Sequence, residues 1–249
     1  VDGSVIRETE VIVPVMGGIV AGTLPYFLGS VYECGFRRLT IVDSGVPGLD
    51  DILSQFDFEI VVFPVEIEGG IFSRSRMANY AVSKSEAEFI AICDGDLIIP
   101  RKFAEDGGEY LSEHPGAVIL PYGLYMNRID TDAWRKSGQF PEFKPRCAHE
   151  GAGGINWLSR KAFIECGGLN CDFVGWGWEE FEFRDRWIAQ GREIYRPDVL
   201  VYHPHHERNS RGSEGYYDNT KTNQKRYQEL IQSRDWPGFE VKKIRPRER

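Results

Sequence analysis

The sequence predicts an α/β fold in which a mostly parallel central sheet is flanked by helices. Three observations predict it. Short β-branched and apolar runs recur between residues 10 and 121. Each run is followed by a segment with helical spacing, and strands alternating with helices form right-handed βαβ units around a parallel sheet. Two of the runs end in aspartate beside glycine, at Asp43-Ser-Gly45 and Asp94-Gly-Asp96. In an open α/β sheet, ligands bind outside the carboxyl ends of the strands.

Residues 10–16 read as a first buried strand, closed by Gly17-Gly18. Residues 21–33 place Leu24, Phe27, Leu28, Val31 and Tyr32 at helical spacing, with Gly35 as the stop. Residues 38–43 form the second strand, 49–55 a short helix, 59–63 the third strand and 73–84 a helix. Residues 89–93 form the fourth strand, 101–114 a helix opened by Pro100, and 117–121 the fifth strand. Residues 121–150 read as irregular, with Tyr122, Tyr125, Trp134, Phe140 and Phe143 among polar neighbours: a binding loop, or a surface excursion packed by its own aromatics. Then come a strand at 156–158, a short helix at 160–166, and a helix that starts in Gly175-Trp-Gly-Trp-Glu-Glu-Phe-Glu182. Residues 193–195 and 199–202 are strand-like, 208–223 read as a polar lid or loop, 224–234 as a helix, and 242–249 as a basic, frayed tail.

At 249 residues and 41% hydrophobic, the chain can bury a core and is not disordered. Its formal net charge of −8 argues against nucleic acid as a partner. No apolar stretch is long enough for a transmembrane segment, and no secretory signal is visible. Five cysteines without a CxxC pair read as free packing thiols in a reducing compartment. The expectation is a cytoplasmic protein, with peripheral membrane association and a trimmed lumenal domain left open.

Asp94 and Asp96 stand one residue apart at a strand end and so point roughly the same way. Gly95 would let the backbone turn and a ligand approach. Hard oxygen ligands with open positions suit Mn²⁺ or Mg²⁺ bound together with a substrate phosphate, although Asp-Gly-Asp is also common turn chemistry. Neither G-x-G-x-x-G nor a P-loop occurs, which leaves any phosphate to a metal rather than a glycine cradle. Asp43 is a candidate acceptor for a base N–H, or a turn residue. In Phe72-Ser-Arg-Ser-Arg-Met-Ala-Asn79, Arg74 and Arg76 can pair with a diphosphate and Phe72 can stack on a base. Arginines at a helix start oppose the helix dipole, so they need another reason than solvation. Three of the five histidines, His203, His205 and His206, cluster after a strand, which favours a metal ligand over a structural role. Glu179, Glu180 and Glu182 fall in the first turns of a helix, where acids cap the dipole; alternatively one is a general base beside a sugar-stacking tryptophan.

Four of these segments, in this order, make the chain resemble nucleotide-sugar glycosyltransferases of the GT-A (Rossmann-like) fold. Within them it looks like the β-1,4-galactosyltransferases and the bacterial chondroitin-polymerase domains. The segments are 72–79, Asp94-Gly-Asp96-Leu-Ile-Ile-Pro100, Gly153-Gly154 with Gly175-Trp-Gly-Trp-Glu-Glu180, and Arg196-Pro197 through His206. The resemblance covers most of residues 10–235 and implies one domain: a nucleotide-sugar half at 10–121, an acceptor and catalytic half at 122–235, and a tail at 236–249. It implies that Asp96 is the main metal carboxylate, with His203, His206 and, more weakly, His205 as further ligands. It implies donor binding by Pro14, Asp43, Phe72, Arg74, Arg76, Asn79, Asp94 and Trp176. Glu180 falls at the family's catalytic Asp and Glu179 at an acceptor-binding Glu. There are departures: Glu stands for Asp at 180, Trp178 stands for a Gly, and the arginine-containing uridine segment of the animal enzymes is missing from the first strand.

The implied activity is transfer of a sugar such as galactose or N-acetylgalactosamine from a UDP-sugar to a hydroxyl of a saccharide or other acceptor, using Mn²⁺ or Mg²⁺. Inversion with a Glu base is expected. A similar W-G-G-E segment occurs in retaining polypeptide N-acetylgalactosaminyltransferases. A nucleotidyltransferase and a non-catalytic sugar-binding module are the other classes compatible with the residues. The oligomeric state is not legible.

Overall fold

A computed structural model of the chain describes residues 4–67, 70–121, 127–129, 153–204, 219–242 and 244–247. The elements are α1 (Ser4–Glu8), β1 (Thr9–Val15), α2 (Gly17–Glu33), β2 (Arg38–Asp43), α3 (Leu49–Leu53), β3 (Glu59–Ile67), α4 (Arg74–Lys84), β4 (Phe89–Cys93), α5 (Arg101–Glu113), β5 (Val118–Ile119) and β6 (Asn127–Ile129). They continue with β7 (Ile155–Ser159), α6 (Arg160–Glu165), α7 (Glu179–Ala189), β8 (Ile194–Tyr195), β9 (Tyr202–Pro204), α8 (Thr220–Ser233) and β10 (Ile244–Pro246).

Eight strands form one sheet in the order β10-β3-β2-β1-β4-β7-β5-β8, and β6 pairs with β9 in a second, two-stranded sheet. Strands β3, β2, β1 and β4 are parallel, as the alternation of strands and helices predicts. Every residue of β1 and β4 is buried because helices cover both faces. Val11, Val13, Leu39, Ile41 and Ala91 pack toward Leu24, Phe27 and Val31 of α2 and Phe103 of α5. The alternate residues Ile12, Val42, Ile90 and Ile92 pack toward Met77 and Val82 of α4, Phe163 of α6 and Trp187 of α7. This is the period-two division of a strand between two cores.

Two strands depart from the sequence reading. β7 runs antiparallel between β4 and β5, in the register Cys93↔Ile155. It therefore starts at the carboxyl end of β4, which brings Gly153 and Gly154 to the same edge as Asp94. Its Trp157 is seated against Gly107 of α5, where a Cβ would come within 2.7 Å of the indole. Within the expected frayed tail, Ile244–Pro246 form β10, an edge strand antiparallel to β3 in the register Ile244↔Ile67. Ile244 buries its side chain in the α4-side core, and burial of that kind is what overrides the charge of a basic segment. Within 121–150, read as irregular, Asn127–Ile129 form β6, and 122–126 and 130–150 lie outside the described residues. Of the expected lid at 208–223, residues 208–218 lie outside the described residues and Thr220–Asn223 open α8. Cys34, Cys93, Cys166 and Cys171 are free and buried, and burial pushes their thiols up, as suits packing residues; Cys147 lies outside the described residues.

Candidate active site

The ladder between β1 and β2 reaches Val15↔Asp43, while that between β1 and β4 stops at Ile12↔Ile92. The strand order turns here, so a crevice opens between the carboxyl ends of β1 and β4. Pro14 borders it. The Val15 carbonyl accepts from the Ser44 N–H on the β2 side, and backbone groups alternate sides along a strand. The Pro14 amide position therefore faces β4, where no ladder bond is needed, and a residue without an N–H is tolerated there.

Arg74 is the hub of this crevice. It is 5% exposed, yet it sits in the first turn of α4, where the dipole disfavours it. Its Nε donates to Asp94 Oδ1 at 2.8 Å, and Nη1 and Nη2 donate to Asn156 Oδ1 at 3.3 and 3.2 Å. Nη2 also lies 3.4 Å from Glu180 Oε1. The carboxylates supply the reason the sequence lacked for an arginine at a helix start. The guanidinium holds residues from β4, β7 and α7 in one arrangement. Arg76 is turned elsewhere, with its Nε donating to the Cys171 carbonyl at 3.1 Å.

Glu180 stands in the first turn of α7, and its Oε1 accepts from the Gly154 N–H at 2.7 Å. The Gly154 carbonyl in turn accepts from Asp94 N–H at 2.9 Å, so one peptide segment spaces the two acids. Burial raises Asp94 and Glu180 above the ordinary carboxylate range, and the Arg74 charge pulls both back. Burial, reinforced by the charge of Glu180, pushes Glu179 up to about 8. Its Oε2 is buried with no hydrogen-bond partner among the described residues.

The chain following β8 brings in the histidine. Ile98 and Tyr202 exchange backbone hydrogen bonds of 2.8 and 3.1 Å as an antiparallel bridge. The next residue, His203, then lies back toward Asp96, and its Nε2 is 3.2 Å from Asp96 Oδ2. A carboxylate oxygen and an imidazole nitrogen at that spacing can both reach one divalent ion with ligand bonds of about 2.1 Å. The mixed oxygen and imidazole donor set suits Mn²⁺. Asp94 and Glu180 add negative charge, which Arg74 offsets. Among the described residues no three His, Cys, Asp or Glu side chains form a metal cluster. His205 and His206 lie outside the described residues.

Gly175, Trp176, Gly177 and Trp178 lead into α7. Gly175, Gly177 and Trp178 all have left-handed backbones, with φ of 76°, 92° and 77°. At Trp178 this backbone is costly for a side chain and is one that glycine adopts freely. Its ring is held between Phe181 and Tyr227, at centroid distances of 5.6 and 5.1 Å. Asn223 of α8 is 1% exposed and donates to the carbonyls of Val174, Trp176 and Gly177. Trp176 itself is 40% exposed at the loop's tip. Behind the loop, Arg186 and Glu182 of α7 form a fully buried pair, and Arg186 also donates to the Cys166 and Gly168 carbonyls.

Asp94, Arg74, Glu180 and the Asp96–His203 pair are thus brought together. Three further expected site residues make the following contacts. Asn79 is 0% exposed and braces Leu169 and the Glu240 carbonyl. Phe72 packs partly buried against the α4-side core, and its carbonyl accepts from Gly175 N–H. Asp43 Oδ1 accepts from the N–H groups of Gly45 and Val46, and Oδ2 accepts from Arg247. Gly95 is closely packed, because a Cβ would meet Val13, Val15 and Val20 at 3.3 Å. Sequence reasoning missed Asn156, Asn223 and Arg247. Only Asn156 left a signal, as a polar residue inside an apolar strand.

The sheet, its crevice and its flanking helices define the GT-A fold of nucleotide-sugar glycosyltransferases. Among solved structures, the chain is similar to GalNAc-T7 with UDP, GalNAc and Mn²⁺ (TM-score 0.65, 16% identity, 92% of this chain and 48% of that one). It therefore spans about half the length of that protein. It is also similar to S. aureus TarS 1–349 in complex with UDP-GlcNAc (TM-score 0.57, 15% identity, 84% and 63%). A third likeness is to the catalytic domain of Drosophila β1,4-galactosyltransferase 7 with xylobiose (TM-score 0.56, 16% identity, 94% and 83%). A family model described as the N-terminal domain of galactosyltransferase matches residues 137–208, a span that includes Gly154, Glu179, Glu180 and His203. Comparison with curated proteins gave no match.

Proposed function

We propose that the protein is a metal-dependent glycosyltransferase that moves a sugar from a UDP-sugar to an acceptor hydroxyl with inversion, and that Glu180 is the base. The observation that carries this reading is the linkage of Asp94, Arg74, Glu180 and Gly154 at the sheet's switch point, with Asp96 and His203 beside one another. The UDP-bound structures of similar fold support the donor class. Residues 10–121 then hold the donor and 122–235 the acceptor.

Asp96 and His203 would hold Mn²⁺, which supplies Lewis-acid stabilisation of the leaving diphosphate. Glu180 takes the proton of the acceptor hydroxyl. Its carboxylate is kept in one orientation by the Gly154 N–H and Arg74, and burial lifts its basicity toward the working pH. Trp176, exposed at the loop tip, stacks on a sugar ring. Glu179 offers to an acceptor hydroxyl its Oε2, which has no hydrogen-bond partner among the described residues.

Calorimetric titration of UDP and a panel of UDP-sugars, with Mn²⁺ and with chelator, tests the reading. Metal-dependent UDP binding is expected, and the tightest sugar names the donor. Absence of UDP binding with Mn²⁺ present overturns it. E180Q should keep UDP affinity and lose roughly 10²–10⁴-fold in turnover. The anomeric configuration of the product, read by NMR, decides between inversion and retention. Among the described residues no helix is long and apolar enough to cross a membrane.

A further inference from the structure

We propose that Arg247, carried to the site by β10, reads the base of the donor nucleotide together with Asp43. This rests on the UDP-sugar reading above. The resemblance that led to that reading stops near residue 235, so it assigns nothing to this segment.

The argument begins with register. Asp43 ends β2 beside Val15 of β1 and Pro64 of β3, and the Arg247 N–H donates to the Pro64 carbonyl at 2.9 Å. Arg247, Pro64, Asp43 and Val15 therefore form a row across four adjacent strands. Extending the Ile12↔Ile92 register along β1 brings Val15 level with Gly95, between the two site aspartates. Asp43 is then two strand spacings, about 10 Å, from the Asp94–Asp96 turn. That is comparable to the distance from the pairing edge of a nucleoside to its phosphates. A nucleotide whose diphosphate lies at Asp96 and His203, laid along this edge, ends with its base at Asp43 and Arg247.

The chemistry at that end suits uracil. Asp43 Oδ1 is taken by two backbone N–H groups, and Oδ2 accepts from Arg247 Nη2 at 3.2 Å. A carboxylate has about four acceptor positions, so Oδ2 keeps one for a further donor. Arg247 is 42% exposed at its side chain, whereas Asp43 is 10% exposed. The guanidinium thus has N–H groups left on the open side. A carboxylate acceptor next to a guanidinium donor complements the N3–H and the neighbouring carbonyl of uracil. Cytosine presents the reverse pattern there, with an acceptor at N3 and a donor amino group.

The segment leading to Arg247 is anchored well enough to aim it. The Glu240 carbonyl accepts from Asn79, Lys242 pairs with Asp172, and Ile244 is buried in the core. This gives wholly buried Asn79 a part in donor binding: it holds the strand that delivers Arg247.

The test is titration of UDP and CDP, in the presence of Mn²⁺, into the wild-type protein, R247A and R245A. Arg245 is an exposed neighbour on the same strand and controls for lost charge. The wild type should prefer UDP over CDP. R247A should lose roughly tenfold or more in UDP affinity and much less for CDP, while R245A keeps both affinities. An unchanged ratio of UDP to CDP affinity in R247A overturns the assignment. If R247A does not fold, R247K keeps the charge without the forked donor set, and its ratio should fall likewise. A wild-type protein that binds no UDP removes the glycosyltransferase reading itself, and this inference with it. Wild-type binding with an unaltered ratio in the variants removes Arg247 alone.

Discussion

Gly153→Ala isolates the position of the proposed base without touching its chemistry. A Cβ at residue 153 would stand 2.1 Å from Glu180 Oε2 and 2.9 Å from its Cδ, whereas carbon atoms do not approach oxygen within 3.0 Å. The carboxylate must withdraw by about 1 Å, because atoms inside their contact distance repel steeply. Gly153 is not among the residues with a left-handed backbone, so alanine fits the chain there, and the crowded atoms are the mobile end of a side chain. Stability is therefore expected to change little. Withdrawal breaks the 2.7 Å bond from Gly154 N–H and alters the 3.4 Å contact with Arg74. A misplacement of about 1 Å at a reacting group can cost ~10²-fold, or about 2.7 kcal/mol of barrier. The assay is the rate of UDP release at saturating UDP-sugar and acceptor, beside UDP affinity by calorimetry. Turnover should fall about 100-fold with UDP affinity preserved. Gly116→Ala, where a Cβ meets nothing within 4 Å, is the control. Turnover within threefold of wild type, or parallel loss of UDP affinity, refutes the assignment of Glu180 and its geometry.

Other outcomes follow from the same structure. E182A leaves Arg186 charged and unpaired where both side chains are 0% exposed, and should cost about 3–5 kcal/mol in urea unfolding. Glu179, held near 8 when folded and near 4.5 when unfolded, keeps its proton in the native state over a range where the unfolded chain has lost it. Stability in chelator should therefore fall as pH rises from about 4.5 to about 8, and E179Q should flatten that fall in a series of thermal melts. A pH dependence unchanged in E179Q would contradict the raised carboxyl. H203A should weaken Mn²⁺ binding, read directly by titration of the metal alone, because Asp96 loses its partner donor. Equal Mn²⁺ affinity in H203A and wild type would remove His203 from the metal site.

The sequence by itself determined the parallel half of the sheet, the strand-end position of Asp94 and Asp96, and the helix-start position of Glu179 and Glu180. Those features depend on short-range periodicity and on residues next to one another in the chain, so they survive without coordinates. The direction of β7 depends on which end of β4 the chain re-enters, and Ile155 meets Cys93 only after some sixty intervening residues. The commitment of Arg74 to Asn156 spans 82 positions, and that of Arg247 to Asp43 spans 204. No local pattern encodes such pairs. Arginine at a helix start calls for an anionic partner, but only tertiary packing sets Arg74 against Asp94 and Glu180, and a basic tail reads as frayed until one isoleucine finds the core. The elements were legible because backbone and burial preferences are local. The site was assembled only by the fold, because electrostatic partners are chosen by proximity in space.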